Sequence, residues 1–220
     1  MSTIANFIKE NTIENLKNTV MENPFNTYKP LDQGNIKLNK NIFSFSLIPV
    51  STCVVDCAKC YDKRSLRYPS VRDKRQYNTW LAINETEKLK SLIVDQLLRS
   101  RTVEFVRIHV GGDFFSMEYL TMWAEIVSIV NEVKPDIKFY TYTKTKFSDE
   151  LKMCGINVVD SKVKGLGFNF GKIEKLRTFM ESNTEYTLCP ATVKETAEAT
   201  KCGVTCTACM DKSEVLFVEH

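Results

Sequence analysis

Residues 103–116 read VEFVRIHVGGDFFS, and this stretch decides the fold. A β-prone run ends at Gly111-Gly112, and Ser116 stands where a helix N-cap belongs. Leu120, Trp123, Ala124, Val127 and Val130 then recur at helical spacing, and Pro135 closes the helix. Residues 137–144, IKFYTYTK, read as the next strand. Working upstream, residues 41–49 (NIFSFSLIP) are aromatic and β-prone. Residues 84–100 open with Asn84 and Glu87 in capping-box spacing and show one apolar face of Leu89, Leu92, Ile93, Leu97 and Leu98. Strand, helix, strand, helix, strand predicts an α/β fold built on parallel βα units.

Downstream, residues 156–163 and 166–171 read as short strands, 173–180 as a helix and 214–220 as a last strand. Residues 189–212 lack periodicity and hold four cysteines, which predicts a loop wrapped around something. The expected organisation is a βα body over residues 1–188. A cysteine-rich element, 189–220, packs on it and is not an independent domain.

The chain has 220 residues, enough for one hydrophobic core, with 43% hydrophobic and 26% charged residues. A formal charge of +3 argues against nucleic-acid binding over the whole surface but leaves room for a local basic patch. The first 18 residues lack a basic region followed by an apolar stretch, so no signal peptide is read. No run approaches the ~20 apolar residues that span a bilayer. A cytoplasmic protein with no membrane partner is expected.

The eight cysteines fall mostly in two groups, and neither chain size nor an export signal favours disulfides. Cys53, Cys57 and Cys60 are spaced x3 and x2. Cys189, followed by Pro190, joins Cys202, Cys206 and Cys209, which repeat that spacing. Four thiolates saturate a tetrahedral zinc or a cubane iron–sulfur cluster, so the second group reads as a closed site for either. Three thiolates leave a coordination position to Cys154, to His109 or to a ligand that is not protein, and an open position marks a catalytic metal.

The strand at 103–110 adds to this. Its alternation sends Val106, Ile108 and Val110 toward covering helices and Phe105, Arg107 and His109 to the other side, where polar side chains line a binding cavity. Gly111 and Gly112 let a ligand approach the backbone, and Asp113 offers an acceptor for an ammonium group. Ligands bind at this edge of parallel sheets. Tyr140, Tyr142 and Lys144 on the next strand are further candidates.

These residues resemble the radical S-adenosylmethionine (SAM) superfamily, which carries three cysteines at x3 and x2 spacing after the first strand of a partial barrel. Its second strand ends in Gly-Gly-acidic, matched by Gly111, Gly112 and Asp113. The resemblance implies an abbreviated (βα)n barrel and a [4Fe–4S] cluster on Cys53, Cys57 and Cys60 whose open iron is chelated by SAM. It also implies reductive cleavage of SAM to a 5′-deoxyadenosyl radical that abstracts a substrate hydrogen. His109 and Arg107 would then serve catalysis. Gly111, Gly112, Asp113, Lys144 and Asn169 would serve cofactor binding, and flavodoxin or ferredoxin would be the reductant. The C-terminal cysteines look like ligands of an auxiliary cluster. The HVGGDF strand together with the cysteine tail also resembles a family of phage-encoded gene products, which implies a host-cytoplasm location and by itself no activity.

Residues 61–80 carry Lys63, Arg64, Arg67, Arg72, Lys74 and Arg75 among Tyr61, Tyr68, Tyr77 and Trp80. As a loop beside the first cysteines, this would suit a nucleotide or single-stranded nucleic acid. A non-enzymatic iron–sulfur electron carrier or binding module and a zinc-bound nucleic-acid module are the rival readings.

Overall fold

The structure is a computed structural model. It describes residues 3–35, 37–55, 60–160, 173–193, 196, 198–212 and 215–216. Two short N-terminal helices, α1 (Ile4–Glu10) and α2 (Ile13–Lys17), precede β1 (Asp32–Gln33) and β2 (Ile42–Ser44). A 3-10 helix (Tyr61–Arg67) leads into α3 (Pro69–Asn84) and α4 (Thr86–Arg99). The body continues through β3 (Phe105–Ile108), α5 (Met117–Val133), β4 (Lys138–Thr143), α6 (Ser148–Met153) and β5 (Ile156–Asp160). After α7 (Ile173–Glu181) come β6 (Thr187–Leu188), α8 (Ala208–Asp211) and β7 (Val215–Leu216).

The main sheet runs in the order β1-β2-β3-β4-β5, with only the β1–β2 pair antiparallel. Parallel neighbours that follow chain order need crossovers all on one side, because such crossovers are right-handed. The helices accordingly share one core with one face of the sheet. Phe43, Val106, Ile108, Phe139, Ile156 and Val158 meet Leu81, Leu89, Ile93, Leu97, Trp123, Ile126, Val130 and Leu151 there. Trp123 is fully buried, and truncating it to alanine would cost about 3–5 kcal/mol.

Helices on one side leave the other sheet face to be covered by something else. Ile42, Phe105, Tyr140 and Tyr142 lie there, and the C-terminal segment covers them with Cys202, Cys209 and Met210. Val159, Cys189 and Val215 extend this layer. Asn157 fixes it by donating to the carbonyls of Cys209 and Lys212, each at 2.9 Å. The short β6–β7 pair and a bridge between Leu38 and Cys202 tie the segment's ends down.

The expected alternation of strands and helices is present through β5. Ser116 caps α5, accepting from the Tyr119 amide at 3.2 Å. The capping box at Asn84 is not formed. Asn84 is the last residue of α3, its side chain donates to the Leu16 and Trp80 carbonyls, and Glu85 alone separates the two helices. Residues 61–84 are helical, not a loop. Pro69 sits at the start of α3, where its missing N–H costs nothing. The strand expected at 166–171 lies outside the described residues. Among the described residues no helix is long and apolar enough to cross a membrane.

Candidate functional site: two cysteine groups on one sheet

The first cysteine loop leaves the carboxyl end of β2, beside the carboxyl end of β3. Backbone pairing of these neighbours continues beyond the strands proper, with the Val110 amide on the Phe45 carbonyl and the Leu47 amide on the Gly111 carbonyl, both at 2.9 Å. Val50 enters the loop in the left-handed region at φ 73°, and its amide reaches Cys53 Sγ at 3.4 Å. Cys53 and Cys60 are half-buried; Cys57 lies outside the described residues.

Gly111 and Gly112 are held against this loop. Gly112 has φ 84°, and a Cβ there would stand 2.6 Å from Thr52 Oγ1 and 2.7 Å from Leu47 Cβ. A Cβ on Gly111 would run into the Asp62 carboxylate. Asp62 is itself buried in a two-pronged pair with Arg75, whose second contact is 3.0 Å. Residues on both sides of the cysteines, Thr52 before and Asp62 after, therefore need the two glycines. Tyr61 completes the junction by donating its hydroxyl to the Val110 carbonyl at 2.9 Å.

Asp113 is buried and engaged. Its Oδ1 accepts from the Phe114 amide at 2.9 Å and the Thr143 hydroxyl at 2.6 Å, and its Oδ2 accepts from the Lys144 amide at 2.9 Å. It joins the ends of β3 and β4, and this places Lys144, half-buried, at the same edge. Asn169 lies outside the described residues.

Arg107 and His109 part company. The strand ends at Ile108, and His109 has φ 63°, so the alternation breaks and its ring turns to the helix side. There it packs edge-on to Phe114 and shares a 2.9 Å hydrogen bond through Nε2 with the Tyr119 hydroxyl, while Nδ1 is buried without a partner. Burial pushes its pKa down to about 3, so the ring is neutral. Arg107 stays on the opposite face, with its guanidinium 4.8 Å above the Tyr142 ring and next to Tyr61, Tyr140 and Cys209. Its Nε is buried without a partner. Cys154 is remote from both, since it ends α6 and so lies at the amino edge of the strands.

Cys189, Cys202 and Cys209 pack on the Arg107 face, and Cys206 pairs with Cys202 through a backbone bridge. Cys189 and Cys209 are hydrogen-bonded to each other, Cys209 also meets Tyr142, and Cys202 neighbours Cys189 and Cys206. The hydrogen bond from Cys209 is the main cause that lowers the Cys189 pKa, and it raises that of Cys209. Among the described residues no three His, Cys, Asp or Glu side chains close on one point as a single metal ion requires.

The cations of residues 61–80 are divided by their helices. Arg75 is buried on Asp62, Lys74 pairs with Asp32, and Tyr77 and Trp80 stack within the core. Arg64, Arg67, Tyr61 and Tyr68 remain exposed, and Arg67 donates to the Tyr68 hydroxyl at 2.7 Å. The sequence signals for Asp62 and Thr52 were only their positions flanking the cysteines, and neither was read as part of the site.

The fold and site define an α/β protein with a mostly parallel five-stranded sheet and cysteine groups at its edge and on its open face. Residues 17–159 match the family described as gene product 88, and the chain belongs to that family. The match takes in the first cysteine group and the Gly-Gly-Asp strand and stops short of the C-terminal cysteines. No curated protein and no solved structure matches the chain.

Proposed function

We propose that this protein is an iron–sulfur enzyme of the radical SAM type, with a cluster on Cys53, Cys57 and Cys60 and a second thiolate centre on Cys189, Cys202, Cys206 and Cys209. One observation carries the reading: the x3, x2 cysteine loop follows the first parallel strand and is packed, through Thr52, Tyr61 and Asp62, against the Gly-Gly-Asp end of the adjacent strand. The sequential parallel strands with helices on one side support the partial-barrel reading. Soft thiolates suit iron–sulfur clusters or zinc. When bound, an open-site cluster supplies the electron that cleaves SAM, with flavodoxin or ferredoxin as the donor. The chain's own residues hold the edge in register: Asp113 clamps β3 to β4, and the glycines let Thr52 and Asp62 of the cysteine loop pack against the strand end. Exposed Arg64, Arg67, Tyr61 and Tyr68 directly after Cys60 support a nucleotide or single-stranded nucleic acid as substrate.

Anaerobic protein reconstituted with iron and sulfide, then given dithionite and SAM, should form 5′-deoxyadenosine, and Cys57→Ala should not. Product from the Cys57→Ala chain would refute the assignment. A second reading, an iron–sulfur module without a SAM site, draws on the engagement of Asp113 by Thr143 and the Lys144 amide. An EPR spectrum unchanged by SAM selects it.

A further inference from the structure

Three polar side chains stand in one row across the centre of the sheet. Ser44 of β2, Arg107 of β3 and Tyr140 of β4 are register partners on successive parallel strands, so they share a face. The adjacent row, Phe43, Val106 and Phe139, packs on the helices, which puts the polar row on the opposite side. Buried sheet faces of this kind are ordinarily aliphatic. Ser44 and Tyr140 are buried, and their hydroxyls make no hydrogen bond among the described residues. Arg107 is half-buried, the most accessible of the three, and its Nε has no partner. Its guanidinium is charged at any physiological pH, and no carboxylate pairs with it among the described residues. Tyr61 takes up one contact, and the Tyr142 ring at 4.8 Å covers a face of the guanidinium, not the N–H edge where hydrogen bonds form. A desolvated cation beside two unmatched hydroxyls is costly unless a partner for all three arrives.

The row lies between the first cysteine loop and the C-terminal segment. Tyr61, the residue after Cys60, reaches Arg107 from the carboxyl edge, while Cys202, Cys209 and Met210 cover Ile42, Phe105, Tyr140 and Tyr142 on the same face. We propose that Ser44, Arg107 and Tyr140 form an oxyanion-binding site on this face, which takes a phosphate or carboxylate group. The guanidinium supplies the charge and forked donors, and the two hydroxyls turn their protons to the remaining oxygens. The group so held, resting on the function proposed above, belongs to the substrate, and Arg107 anchors it beneath the edge where the first cysteine loop stands.

The donors are all the chain's own, so binding is read on the full chain without iron or SAM. Inorganic phosphate and succinate are titrated separately at fixed ionic strength near neutral pH, and the arginine Nε–H signals are followed by NMR. The signal that is absent from Arg107→Lys should move to saturation with one of the two anions. Movement with phosphate assigns a phosphate ester to the substrate, and movement with succinate alone assigns a carboxylate. Affinity should fall about 10- to 100-fold in Arg107→Met and about 3- to 10-fold in Ser44→Ala and in Tyr140→Phe. The last two each delete one oxygen and keep the packing, so they report on the site even where Arg107→Met does not fold. A signal that neither anion moves, or affinities in the hydroxyl variants within twofold of the parent, overturns the site and leaves 5′-deoxyadenosine formation to decide the SAM reading. Binding that depends on these residues in a chain that never cleaves SAM upholds the site and overturns only its assignment to a radical substrate.

Discussion

Tyr61, the residue after the third cysteine, donates its hydroxyl to the carbonyl of Val110, the residue before Gly-Gly-Asp, at 2.9 Å. One hydrogen bond thus joins the two segments on which the functional reading depends. Tyr61→Phe keeps the ring and removes this bond together with the hydroxyl's contact to Arg107. Urea unfolding should show a loss of about 0.5–1.5 kcal/mol. Iron bound at the first site should also be stripped faster by chelator than in the parent.

The buried Asp62–Arg75 pair holds the other side of the loop against Gly111. Asp62→Asn strands the Arg75 charge in the interior and should cost about 3–5 kcal/mol by urea titration. A double replacement, Asp62→Leu with Arg75→Met, should recover most of that loss, because both charges leave together. Gly111→Ala should destabilise by a comparable amount, since its methyl displaces the same carboxylate. A Gly111→Ala chain as stable as the parent would refute the close packing.

His109 supplies a pH dependence. Its folded pKa is depressed to about 3 by burial, against an unfolded value near 6.5. Above pH 6.5 both states are neutral and the group contributes no slope. As pH falls from 6.5, the unfolded chain takes up a proton that the folded ring refuses, so stability drops by up to about 1.4 kcal/mol per pH unit. The loss continues until the pH nears 3. Urea midpoints between pH 6.5 and 5, above the carboxylate range, should therefore fall in the parent. His109→Gln, which can still bond Tyr119, should flatten that slope.

The fold was legible in the sequence where apolar period and punctuation agree. Ser116 capping α5, Pro135 closing it and the inward Val106 and Ile108 of β3 are local signals, and each is where it was expected, whereas the strand stops short of Val110. Helix α3 was hidden because its buried face carries Arg75, Asn78 and Thr79. These are satisfied by Asp62, by the Ser46 carbonyl at 2.9 Å and by backbone contacts including the Ile48 amide at 3.0 Å, so no apolar stripe marks them. The site divides in the same way. Cysteine spacing is visible residue by residue, whereas the left-handed turn at His109 that parts it from Arg107 depends on tertiary packing. That residues 202–210 lie over Tyr140 and Tyr142 follows from helices occupying the opposite face, which only the strand order reveals.

The adjacency of Cys189 and Cys209 sets how the metal-free chain fails. A thiol hydrogen-bonded to its neighbour has its thiolate stabilised, and here Cys209 stabilises the thiolate of Cys189. Attack by a thiolate on an oxidised partner sulfur is the step that closes a disulfide, and proximity favours this pair over the others. Under air or diamide, the metal-free protein should therefore form a Cys189–Cys209 bridge ahead of any bridge to Cys202 or Cys206. Peptide mapping under non-reducing conditions should recover the two cysteines in one linked fragment. The rate should rise with pH through the neutral range as the thiolate fraction grows. Metal bound at the C-terminal site should block the reaction, because its sulfurs are then ligands and not nucleophiles. A bridge that forms equally fast in the zinc-loaded chain would show that Cys189 and Cys209 do not hold the metal.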